Sequence, residues 1–135
     1  MTTRMLMMIS AAIEAATGVA LIALPDLVGR LLLGTEFSGS GIAVARVAGL
    51  GLLTLGIACW PVGDDSSPQA TRALFVYNLL AGVYLGFLRV AEGFAGYLLW
   101  PASVLHILLA VLFARPAFVN PRRYERRKET KEFVS

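Results

Sequence analysis

A few side chains stand out because their surroundings do not suit them. Glu14 sits in the middle of MLMMISAAIEAATGVALIAL, residues 5–24. Arg46 lies in IAVARVAGLGLLTLGIACW, residues 42–60, Asn78 within residues 70–90, and His106 within residues 96–114. Each of these stretches is apolar and close to the roughly 20 residues needed to cross a bilayer. An ionised carboxylate at the centre of a membrane is unfavourable by about 3 kcal/mol or more, so Glu14 needs a partner, a water or a proton. Glu14, Asn78, His106 and Arg46 therefore form the candidate intramembrane polar cluster. The chemistry open to it is proton binding, hydrogen bonding between helices, or ligation through the imidazole. As a haem ligand His106 would need a second axial ligand from another chain, or an open position.

The elements that must position these groups follow from the same apolar blocks. The chain has 135 residues, 57% hydrophobic and 16% charged, and its mean hydropathy is +0.70. Soluble domains are about 45–50% apolar and about 25% charged. The expectation is an all-α fold, an integral membrane four-helix bundle of up-down topology, with its four-span domain at residues 1–114. The first block is longer than a signal-peptide core and has an acid at its centre, with no convincing cleavage site before Pro25, so it reads as a retained span. Pro25 ends it. PDLVGRLLLG follows, with Leu27, Val28, Leu31 and Leu32 on one helical face; this reads as a short interfacial helix between spans one and two, or as an apolar connector. Ser67 and Pro68 read as the N-cap and first residue of span three. Arg115 and Pro116 are expected to end span four after Ala114.

Small residues recur at helical spacing beside the polar ones. The sets are Ala11, Glu14, Ala15 and Gly18; Arg46, Gly49, Leu53 and Gly56; Asn78, Gly82, Gly86 and Arg89; and Ser103, His106, Ala110 and Ala114. Steps of three, four or seven keep each set on one face. Glycine lets helix backbones approach, so Gly18, Gly49, Gly56, Gly82 and Gly86 are the expected packing positions. Helical side chains lean toward their own N-terminus. On spans running in opposite directions, Glu14 and Asn78 lean one way, and Arg46 and His106 the other. At about 1.5 Å per residue, Glu14 and Asn78 lie within about two residues of the same depth. A hydrogen bond between them, direct or through one water, is the expected pairing, with Glu14 in its uncharged form. Arg46 is expected to snorkel outward, near Glu36 or Glu92.

The tail, residues 115–135, carries seven basic residues against three acidic, a net charge of +4. Arg122, Arg123, Arg126, Arg127 and Lys128 are its core, read as a basic cytoplasmic tail held against anionic lipid rather than as a nucleic-acid site. Positive charge beside a span end favours the cytoplasmic side, and an even number of spans puts both termini there. No cofactor is expected. One histidine and one cysteine, His106 and Cys59, cannot build a zinc site within one chain. No phosphate-binding loop, nucleotide fingerprint, HExxH or nucleophile elbow is present, so the reading leans away from an enzyme.

Several stretches look familiar. They are IEAATGVALIALPDLVGRLLLG, ARVAGLGLLTLGIACWP, YNLLAGVYL and LLWPASVLHILLAVL. The span region resembles small uncharacterised bacterial four-span membrane proteins of the DoxX-like kind. The resemblance implies four helices in a bacterial inner membrane, and it brings no activity and no catalytic residues. The layout is also similar to that of small multidrug resistance transporters, four-span proteins with an acid midway along span one, but their other characteristic stretches are absent here. The expected function is an accessory or assembly subunit of a membrane complex, or a homo-oligomer, its partners being the bilayer and other membrane chains; the alternatives are a proton-coupled small-molecule transporter using Glu14 and, after it, a redox or quinone-linked membrane subunit.

Overall fold

The computed structural model describes residues 2–62 and 67–118. Those residues form five helices and no strand: α1 (Thr3–Ala23), α2 (Pro25–Leu32), α3 (Ser40–Ala58), α4 (Pro68–Val90) and α5 (Leu99–Phe118). Four of them, all but α2, are long and apolar enough to cross a membrane. The expected all-α four-helix bundle is what the chain builds. The basic positions Arg122, Arg123, Arg126, Arg127 and Lys128 lie outside the described residues.

Local chemistry sets most helix ends. The Thr2 hydroxyl accepts from the Met5 amide and opens α1. Pro25 cannot continue α1, because it has no amide hydrogen to give, but it fits the first position of α2. Gly34 closes α2 with φ +79, its amide returning to the Gly29 and Arg30 carbonyls. That is a left-handed cap that a side chain would strain. Ser67 caps α4 from the Ala70 amide, with Pro68 first in the helix.

Two boundaries of the last span differ from the sequence reading. The helix starts at Leu99, not at Gly96. Residues just before it are used elsewhere: the Leu98 amide donates to the Leu31 carbonyl at 2.8 Å, and the Ala95 amide to Leu33 at 3.3 Å. Gly96 lies so close to the backbone of Leu31 and Leu32 that a Cβ would have no room. The helix also runs past Arg115 and Pro116 to Phe118. A proline in a last turn removes only one amide bond, and packing outweighs it. Phe113 and Ala117 are buried, Phe118 meets Phe75 edge-on at 5.3 Å, and Arg72 Nε donates to the Ala117 carbonyl at 3.0 Å.

The bundle is two helical hairpins. α1 packs on α3, α4 packs on α5, and α1 carries most of the contact between the pairs. The polarity is that of a chain in lipid. Ser10, Glu14, Thr71, Asn78 and Ser103 are buried, while Val44, Val47, Leu50 and Ile57 of α3 face outward. An apolar cluster of Leu6, Met7, Cys59, Leu74, Leu109 and Phe113 fills the end of the bundle where α1 and α4 begin.

The glycines do the close packing. A Cβ on Gly18 would come within 2.5 Å of the Leu53 amide and 2.6 Å of the Gly49 carbonyl, and one on Gly56 within 2.6 Å of the Ala11 carbonyl. The α1–α3 seam is therefore backbone against backbone. Gly82 gives the same service to Ile107 across the α4–α5 seam, and Gly86 sits beside the Ser103 hydroxyl with more room.

Candidate functional site

Ser10 and Glu14, one helical turn apart on α1, share a face. Both are buried, Glu14 to 1% of its exposed area. That face meets Tyr77 and Asn78 near the middle of α4, and His106 on α5. Asn78 is wholly buried and fully used. Its Nδ2 donates to the Leu74 carbonyl at 2.8 Å and to Ser10 Oγ at 3.0 Å. Its Oδ1 lies 2.8 Å from His106 Nδ1.

This geometry fixes more than the heavy atoms. The Leu74 carbonyl can only accept, so Asn78 must turn its amine toward it and its oxygen toward the imidazole. An amide oxygen also only accepts, so His106 Nδ1 carries the hydrogen. The neutral imidazole is then the Nδ1–H tautomer, with its lone pair on Nε2. Among the described residues Nε2 makes no hydrogen bond.

Glu14 stands beside this network without being tied into it. Its Oε1 is 3.9 Å from His106 Nδ1, beyond hydrogen-bond range, and has no hydrogen-bond partner. Tyr77, next to Asn78 on α4, stands beside this pair, its ring meeting the His106 ring edge-on at 5.8 Å. One donor, His106 Nδ1, thus faces two acceptors, a bonded amide oxygen and an unbonded carboxyl oxygen. The arrangement can hold a proton in a dry place and share it between an acid and an imidazole. Among the described residues no three His, Cys, Asp or Glu side chains gather in a way that could hold a metal ion.

The expected cluster is partly assembled and partly redrawn. Glu14, Asn78 and His106 come together. The expected direct bond from Glu14 to Asn78 does not form, because His106 and Ser10 take the polar atoms of Asn78. Arg46 is not brought in. Ala45, Gly49 and Gly56 form the buried face of α3, and Arg46, one residue further round the helix, is exposed. Glu36 pairs with Arg30 of α2 instead of with Arg46. The packing glycines Gly18, Gly49, Gly56 and Gly82 are buried at the helix seams.

Ser10 and Tyr77 belong to the site and were not singled out from sequence. The signal for Ser10 is its place four residues before Glu14, which puts it on the acid's own face. The signal for Tyr77 is depth. Tyrosines of membrane helices gather at the interfaces, and this one lies mid-helix, beside Asn78.

Compared with family models, with curated proteins and with solved structures, the chain finds no match in any of the three. The functional reading therefore rests on the site itself.

Proposed function

We propose that the chain is a small multi-pass membrane protein that couples proton binding at Glu14 to the movement of a small solute. One observation carries this reading: a carboxyl 1% exposed, mid-helix, with an oxygen that no donor satisfies. A purely structural acid in such a place is stabilised by having its oxygens bonded, since unbonded buried polar atoms are costly. An acid left one bond short, beside an imidazole and a phenol, is built to change its protonation. The positive charge of the tail supports an orientation with both termini cytoplasmic in a bacterial inner membrane.

The test is flux by purified protein in pyranine-loaded liposomes under an imposed pH gradient, with candidate solutes added outside. Solute-dependent proton movement is expected, and it should vanish in Glu14→Gln while that variant still assembles. Unchanged flux in Glu14→Gln sinks the reading. Orientation is checked separately. In a Cys59→Ser background, a membrane-impermeant thiol reagent should label Ser38→Cys from outside and spare Ser66→Cys; the reverse pattern refutes the cytoplasmic tail.

A second reading, a subunit of a larger membrane assembly or a homo-oligomer, is favoured by α3. That helix packs chiefly on α1 and turns Val44, Val47 and Ile57 outward. Native purification of a tagged chain that yields a lone monomer, with no co-purifying chain, removes it.

A further inference from the structure

We infer that His106 is the relay through which Glu14 receives its proton, and that Asn78 is the positioning residue that keeps this relay loaded. The inference rests on the reading of Glu14 as the proton-carrying acid and adds the route by which the proton arrives.

Three observations carry it. The first is enclosure. Glu14 has 1% of its side chain exposed, whereas His106 keeps 12%. The imidazole is thus the less enclosed of the two groups. The second is the tautomer. Asn78 is locked by the Leu74 carbonyl and Ser10, so its oxygen holds the His106 hydrogen on Nδ1. That nitrogen is the one facing Glu14. The third is the vacancy on the acid. Oε1 has no bonded partner and lies 3.9 Å from Nδ1. A shift of about 1 Å brings that pair to hydrogen-bond distance.

The step balances as follows. With Glu14 ionised, a hydronium ion or a protonated water chain gives its proton to Nε2, and an N–H bond forms there. The Nδ1–H bond breaks, and its proton passes to Glu14 Oε1, forming the acid O–H. One positive charge arrives and one negative charge is cancelled, so the site ends neutral. The imidazole is left with its hydrogen on Nε2 and a lone pair on Nδ1. That lone pair then faces the Asn78 oxygen across 2.8 Å, two acceptors in contact. Asn78 therefore destabilises the emptied relay and favours the loaded one.

Other titratable groups around Glu14 are few. From α4, Tyr77 lies edge-on against His106, and Cys59, just past α3, is buried in the apolar cluster with Met7. Neither has the two ring nitrogens that let one group take a proton on one side and give it on the other.

The chain has a single histidine, so nitrogen-15 histidine labelling, with a tag that contains none, reads His106 alone. The wild-type neutral imidazole is expected to be protonated on Nδ1; protonation on Nε2 overturns the inference without any variant. Asn78→Leu should move the hydrogen to Nε2, and Glu14→Gln should leave it on Nδ1. An unmoved tautomer in a folded Asn78→Leu removes Asn78 from the role. The relay itself is read by infrared after an acid jump, as the rise of the carboxyl band that Glu14→Gln abolishes. His106→Gln should slow that rise at least tenfold, and equal rates overturn the relay. Unchanged flux in Glu14→Gln would instead sink the underlying transport reading, leaving the tautomer where it is. A wild-type protein with no such carboxyl signal counts against both.

Discussion

α1 has two faces, and they are held by different physics. Toward α3 it offers Ala11, Ala15 and Gly18, and the seam closes by backbone contact with Gly49 and Gly56. No side-chain hydrogen bond among the described residues crosses it. Toward α4 and α5 it offers Met7, Ser10 and Glu14, and that seam is joined through Asn78 and His106. Lipid tails are as apolar as leucine, so close packing rather than hydrophobic burial holds the first seam. It tolerates no added volume. The second seam trades volume for polar atoms, which can be rearranged without unfolding the helices. The rigid seam is thus suited to holding α1 in place, and the polar seam to changing state.

The largest effect should come from breaking the tight seam. Gly18→Val puts a branched side chain where even a Cβ meets the Leu53 amide at 2.5 Å. Overpacking of this kind costs about 1–3 kcal/mol, and more where the obstacle is backbone; we expect a loss of about 3 kcal/mol or failure to assemble, read by unfolding in detergent. Next comes the polar seam. Asn78→Ala strips partners from Ser10 and His106 together. Membrane hydrogen bonds average about 0.6 kcal/mol, so a loss of about 1–2 kcal/mol is expected. A loss as large as that of Gly18→Val would erase the contrast between the seams. Glu14→Gln should change stability by less than about 0.5 kcal/mol, because Oε1 makes no bond to lose. The smallest effect sharpens the comparison. Gly51 lies on the same helix as Gly49 and Gly56 but has open space around it. Gly51→Ala should be neutral or stabilise by up to about 1 kcal/mol, through helix propensity alone. A penalty there would show that α3 has a further neighbour.

Much of this was legible in the sequence, and the limits were physical. Glu14, Asn78 and His106 announce themselves because a polar group in an apolar span must be satisfied. Gly18, Gly49 and Gly56 announce themselves by spacing. Which polar atom meets which does not follow from spacing, because periodicity gives a helix face but not the rotation of one helix against another. Depth and lean alone favour Glu14 with Asn78, but α5 comes close to α4 at Gly82 and His106 takes the Asn78 oxygen instead. Arg46 was drawn in by its charge, although Ala45, one residue away, is what faces α1. Ser10 was missed because a serine in an apolar helix is ordinary until its neighbours are known. Gly96 looked like the start of a span because the residues after it are apolar. Its use, a close approach to α2, depends on a contact some sixty residues back in the chain.

That contact between α2 and the turn before α5 has a mechanical consequence. The Leu98 and Ala95 amides tie the second hairpin to the Leu31 and Leu33 carbonyls of the first. At the opposite end the described residues of the two hairpins meet through side chains: the Thr71 hydroxyl donates to Met7 Sδ at 3.5 Å, and Leu6, Met7, Cys59, Leu74, Leu109 and Phe113 pack together. The hairpins are thus clasped twice, by backbone hydrogen bonds at one end and by apolar packing at the other. Glu14 and His106 lie between the two clasps, so the gap between their side chains is set by how both ends seat.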